Sequence, residues 1–221
     1  MKVVVDSAVL QRFPDFHLGL LWVEKMDNHI QVRTARHLLQ EMQTAIRLTF
    51  HKDTFQTHHL ISPREVARQE FGKQAKHYHT SLEPLLQKVL KRKSPLPLDT
   101  LTTLVQYITL KHLVPSGTEE GDHLHGTVRF SLSWGKGTKK EELFSADHHQ
   151  VLRRQLDAGH TPGRKLNPRS QRALVHFITL PPISPQQVRT LVGELKKLVQ
   201  TLCGGKVRTA ILNKKKKSVE W

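Results

Sequence analysis

Residues 104–134 read LVQYITLKHLVPSGTEEGDHLHGTVRFSLSW, and the hydrophobic period changes inside them. Before Pro115 the spacing is helical: Asp99 opens the segment, and Leu101, Leu104, Val105 and Ile108 fall on one stripe. SGTEEGD (116–122) reads as a polar, glycine-bearing loop. From Thr127 the alternation is strict. Val128, Phe130, Leu132 and Trp134 share one face; Thr127, Arg129, Ser131 and Ser133 share the other, as in a half-buried strand. Helical patterns cluster ahead of this switch and strand patterns after it. That order predicts an α+β fold, with helices of the first half packed on a mixed or antiparallel sheet formed largely by the second half.

Outward from this stretch, FHLGLLWV (16–23) is nearly continuous in apolar residues and predicts a buried strand. A helix follows near Thr34–Phe50, with Leu38, Leu39, Met42, Ala45 and Ile46 inward. Ser62-Pro63-Arg64-Glu65 is a helix start that runs to Phe71-Gly72. Thr80 and Glu83 form a second capping-box pattern, ahead of a helix with Leu82, Leu85, Leu86, Val89 and Leu90 inward. A basic linker, KRKSPLP (91–97), ends it. In the second half ELFSAD and QVLRRQL read as short strands, and RALVHFITL (172–180) as a buried one. Ser184-Pro185 starts a last amphipathic helix that Gly204-Gly205 terminates. The expected organisation is one domain over 1–205 and a basic, disordered tail over 206–221.

Lys and Arg total 35 against 19 Asp and Glu, a formal net charge of +16 in 221 residues. The expected tail supplies a surplus of five, so most of the excess lies in the body. Such a balance favours a polyanionic partner. The basic residues are dispersed and no run approaches the roughly 20 apolar residues of a membrane span, so nucleic acid is expected above membrane. The first residues do not form a secretory signal, and the single cysteine, Cys203, excludes an intramolecular disulfide; a cytoplasmic address is expected. Fifteen histidines include close pairs, but none has helical i, i+4 spacing beside an acid, and no metal or other cofactor is expected. Cys203 reads as a core residue.

Five segments in order carry a resemblance: PDFHLGLLWVEKMDN, SPREVARQEFG, LVQYITLKHLVPSGTEE, ELFSADHHQVLRR, and SQRALVHFITL with the helix ending in LCGG. The chain resembles the B3/B4 domain, the editing module of the phenylalanyl-tRNA synthetase β subunit, and more closely the stand-alone bacterial proteins built of that domain alone. The resemblance implies a B3/B4-like fold, aminoacyl-tRNA as partner with no obligatory protein partner, and trans-editing hydrolysis of the ester on mischarged tRNA. Alternatives are a non-catalytic RNA-binding module and a pocket for an amino-acid-like small molecule. The chain departs from the family in having Gly117 in place of the synthetase's pocket histidine, Gln106 in place of asparagine, and His176 in place of the pocket glutamate.

Carried onto this sequence, the resemblance implies a substrate pocket of Gln106, Ser116, Gly117, Thr118 and Arg129. Glu119 would bind the α-ammonium group or orient water, and His176 would act as base near neutral pH; a buried core histidine is the plainer reading of His176. An aminoacyl ester is already activated, so placing water and stabilising the oxyanion suffice. Arg153, Arg154, Arg164, Lys165, Arg169 and Arg172 form a basic region able to track RNA phosphates or simply to face solvent.

Overall fold

The structure, a computed structural model, describes residues 1–51, 58, 81–134, 141–149, 151–153 and 165–221. The helix expected from Ser62, the capping position expected at Thr80, and residues 135–140 and 154–164 lie outside the described residues.

Strand β2 (His17–Glu24) organises the molecule. It lies between β7 (Ala173–Thr179) and β8 (Lys206–Leu212) in an antiparallel four-stranded sheet of order β3-β7-β2-β8, where β3 is Ser116–Glu120. A second, mixed sheet has the order β6-β5-β4-β1-β9. Its strands are β1 (Lys2–Val5), β4 (Thr127–Trp134), β5 (Glu141–Ala146), β6 (Val151–Arg153) and β9 (Ser218–Glu220). The expected α+β class holds, with the strands divided between two sheets.

Alternation along β2 separates two cores. Leu18, Leu20 and Trp22 face the second sheet and meet Val3, Val5, Val128 and Phe130. Leu21 and Val23 face the helices, α4 (Thr100–His112) and α5 (Pro185–Leu202). Gly19 is on that helical side: a Cβ there would sit 2.8 Å from Val192 Cγ2, so the missing side chain lets α5 close onto the sheet. A third core joins α4 to α2 (Val32–Thr49) and α3 (Leu82–Leu90) through Leu39, Ile46, Leu86, Val89 and Leu110. A short helix, α1 (Ser7–Arg12), follows β1.

Local chemistry fixes the helix ends. Asp99 caps α4, its side chain accepting from the Thr102 N–H. Ser184 and Gln187 form a reciprocal capping box at α5. At the end of α4, Lys111 and His112 both donate to Glu194 on α5. Burial alone would raise the Glu194 carboxyl, but the hydrogen bonds from Lys111 and His112 outweigh it and hold the group below its ordinary value of 4.5. The same contact raises Lys111.

Two expectations are corrected. SGTEE is strand β3 rather than a loop, because pairing with β7 holds the backbone extended despite a sequence without apolar residues. Residues 206–221 are not a disordered tail. β8 pairs with β2 over seven positions, and β9 pairs with β1. Trp221 stacks on Trp22, and the Met1 amino group donates to its carbonyl at 2.9 Å. The four lysines, Lys214–Lys217, form the turn between these strands, with Asn213 Oδ1 accepting from the N–H groups of Lys215 and Lys216. No described helix is long and apolar enough to cross a membrane.

Leu212 is fully buried in the core between the sheets. Leu212→Ala should lower unfolding stability by about 2–5 kcal/mol in a denaturant titration; an unchanged midpoint would mean that this segment is not folded in. The depressed Glu194 carboxyl stabilises the fold above its ordinary value, and that contribution should disappear as pH falls through its lower folded value. Glu194→Gln should therefore flatten the stability–pH profile below about 4.5.

Candidate functional site

The main cleft lies where α3, α4, β3 and the linker after α3 meet. It encloses about 570 Å³, within the roughly 300–1,000 Å³ typical of small-ligand sites. One wall is apolar, from Leu85, Pro95, Leu96, Pro97 and Leu98; the other is polar, from Thr102, Gln106, Thr109, Ser116 and Thr118. Lys88 and Lys165 bring positive charge to its edge.

The polar wall follows from strand register. Ser116 and Thr118 of β3 pair with Phe177 and Val175, which face the helices. Their side chains therefore turn toward α4, and Ser116 Oγ lies 2.6 Å from Thr109 Oγ1. Ser81 precedes α3 but does not cap it. Its hydroxyl instead donates to the Ser116 carbonyl at 2.9 Å and accepts from the Ser116 N–H at 3.1 Å, tying α3 to the edge strand. The Gln106 Oε1 atom is buried and has no hydrogen-bond partner among the described residues.

A buried polar network supports the floor. Asn28 Nδ2 donates to Asp99 Oδ1 at 3.1 Å and to the Asn167 carbonyl at 2.9 Å, while its Oδ1 accepts from the Leu101 N–H at 2.7 Å. Asn167 and Ser170 in turn donate to Glu120. One asparagine thereby fixes the start of α4 against the segment that carries Lys165 and Leu166.

Gln106, Ser116, Gly117 and Thr118 all line this cleft. Three other expected site residues do not join them. Glu119 pairs with Leu174, so it faces the opposite side of the sheet, and it is buried. His176 shares that side, buried with its ring edge-on to Phe130 at 5.3 Å between centroids. Strict alternation in β3 and β7 makes this unavoidable: once Ser116 and Thr118 face the cleft, Glu119 cannot. Arg129 belongs to the second sheet, where it pairs with Asp6 at 3.2 Å. Of the basic region, Lys165 reaches the cleft edge and Arg169 is exposed. Arg172 pairs with Asp122 at 3.0 Å. Arg153 ends β6, and Arg154 and Arg164 lie outside the described residues.

Sequence reading missed Ser81, Thr102, Thr109 and the proline-bearing wall. The one available signal was Pro95 and Pro97, whose fixed φ prevents α3 from continuing into the linker. Among the described residues no group of three or more His, Cys, Asp or Glu is arranged to hold a metal ion. The chain matches no protein-family model and no curated protein sequence.

Burial, followed by the nearby charges of Asp99 and Asp27, pushes the Cys203 thiol up to about 12. A buried, protonated thiol is a poor nucleophile. A disulfide exchange reagent at pH 8 should leave Cys203 unmodified in the native protein and label it on unfolding; rapid native labelling would contradict this placement.

Proposed function

We propose that this protein binds aminoacyl-tRNA in the manner of a stand-alone B3/B4-type domain, seating the aminoacyl end in the cleft between α3, α4 and β3. The observation that carries the reading is Gln106. A buried carbonyl without a partner is costly to the free protein and is satisfied by a ligand that brings a donor. An amino acid esterified to ribose brings two kinds, the α-ammonium group and a ribose hydroxyl. The proline and leucine wall suits an apolar side chain, and the net charge of +16 suits the polyanion to which the amino acid is attached. This partner implies a cytoplasmic setting.

Deacylation in this cleft would use neither Glu119 nor His176. The polar groups available to hold water near the ester are Gln106, Ser116 and Thr118, and an activated ester demands little more. These groups are uncharged, and the lining carboxylate Asp99 is engaged by the Thr102 N–H and Asn28, which favours, as a second reading, binding without turnover.

Both readings meet in one experiment. Aminoacyl-tRNAs carrying cognate and noncognate amino acids are tested for binding at several salt concentrations and for release of the amino acid. The proposal expects binding that prefers the charged to the uncharged tRNA and weakens linearly on a log–log salt plot. Release of noncognate amino acids identifies an editing hydrolase; binding without release identifies the module. No binding across a broad panel sinks both. Gln106→Leu should weaken binding of the charged tRNA about tenfold, roughly 1.4 kcal/mol, while leaving thermal stability unchanged or higher.

A further inference from the structure

Helix α3 ends in a Schellman turn. The Arg92 N–H donates to the Val89 carbonyl at 3.0 Å, and the Lys93 N–H to the Lys88 carbonyl at 2.8 Å. This turn requires a left-handed residue directly after the cap, and glycine adopts that conformation most readily. Here the position holds Arg92, with φ 56°. Turn geometry therefore disfavours the residue that is present. Nor does a local contact account for it, because its guanidinium forms no hydrogen bond or ion pair among the described residues.

Arg92 opens onto a second cleft of about 460 Å³, lined by Gln43, Thr44, Arg47, Leu48, Arg92 and Ser94. Arg47, in the last turn of α2, donates from Nη2 to the neutral Thr44 hydroxyl at 2.9 Å. No carboxylate is among these lining residues. The carbonyl ends of α2 and α3 contribute roughly half a negative charge each, which two full guanidinium charges exceed. The net field thus attracts an anion, and the arginine fork fits phosphate oxygens in particular. Ser94 lines both this cleft and the larger one, so the two share a wall.

We propose that the Arg47–Arg92 cleft is a phosphate subsite, which holds a backbone phosphodiester of the ligand whose aminoacyl end occupies the neighbouring cleft. The identity of that ligand rests on the function proposed above; the anion preference of the cleft does not.

The test compares the wild-type protein with Arg92→Gly and with the Arg47→Gln/Arg92→Gly double variant. Glycine suits the Schellman turn, so Arg92→Gly should melt at the same temperature or higher. Two probes are used: inorganic phosphate, followed by NMR signals of the arginine Nε–H groups, and an RNA minihelix carrying an amide-linked amino acid. Phosphate should perturb the Arg47 and Arg92 signals. The double variant should bind the minihelix at least tenfold more weakly, with a salt slope shallower by about 0.7 for each lost phosphate contact. Undiminished minihelix affinity and slope in the double variant would overturn the subsite and leave the aminoacyl-tRNA reading intact. Phosphate binding at the two arginines without any minihelix binding would sustain the anion site and overturn the RNA reading. Unperturbed arginine signals at saturating phosphate would overturn the anion site itself.

Discussion

The structure depends on one strand being buried on both faces. β2 carries Leu18, Leu20 and Trp22 toward one core and Gly19, Leu21 and Val23 toward another. Burying both sets excludes a register slip, since a shift of one residue would exchange them. That constraint passes through hydrogen-bonded neighbours. β7 is aligned by β2, and β3 is aligned by β7. The direction in which Ser116 and Thr118 point is thus settled two strands away, by aliphatic side chains that never touch the cleft.

The same constraint separates the polar groups of β3 into two environments. Ser116 and Thr118 meet the hydroxyl of Thr109 and the amide of Gln106 at the cleft, whereas Glu119 is buried on the far face. The cleft is accordingly a hydrogen-bonding surface opposite an apolar one, with the capping carboxylate of Asp99 at the start of α4 and lysines at its edges. Such a surface recognises shape and donor placement. The lining carboxylate, Asp99, is taken up in capping α4 and accepting from Asn28, so chemistry there would rest on the ligand's own activation and on a positioned water.

Charge is distributed by the fold in a way that composition does not reveal. The lysines at 214–217 are held in a turn between two paired strands, and the 88–93 segment gathers its cations at a helix end next to the cleft. Other cations are spent locally: Arg129 on Asp6, Arg172 on Asp122, and Lys111 on Glu194. Arg47 and Arg92, by contrast, sit at the ends of α2 and α3 and line the second cleft.

By itself the sequence determined the elements whose hydrophobic period is strong. The helices opened by Asp99 and by Ser184 with Gln187, the continuous apolar runs of β2 and β7, and the alternation in β4 all stand where the pattern places them. Gln106 and residues 116–118, singled out through the resemblance, line one cleft. Tertiary structure alone decided the rest. SGTEE has no apolar signal and is extended only because β7 offers it hydrogen bonds; residues 206–221 are polar enough to resemble a tail, but β8 carries Val207 into one core and Ala210 and Leu212 into the other, and β9 joins the second sheet. Which face of β3 meets the cleft, and therefore that Glu119 and His176 are excluded from it, follows from pairing partners distant in the chain. Local sequence encodes a strand's alternation, whereas only its neighbours fix which of the two faces is the inner one.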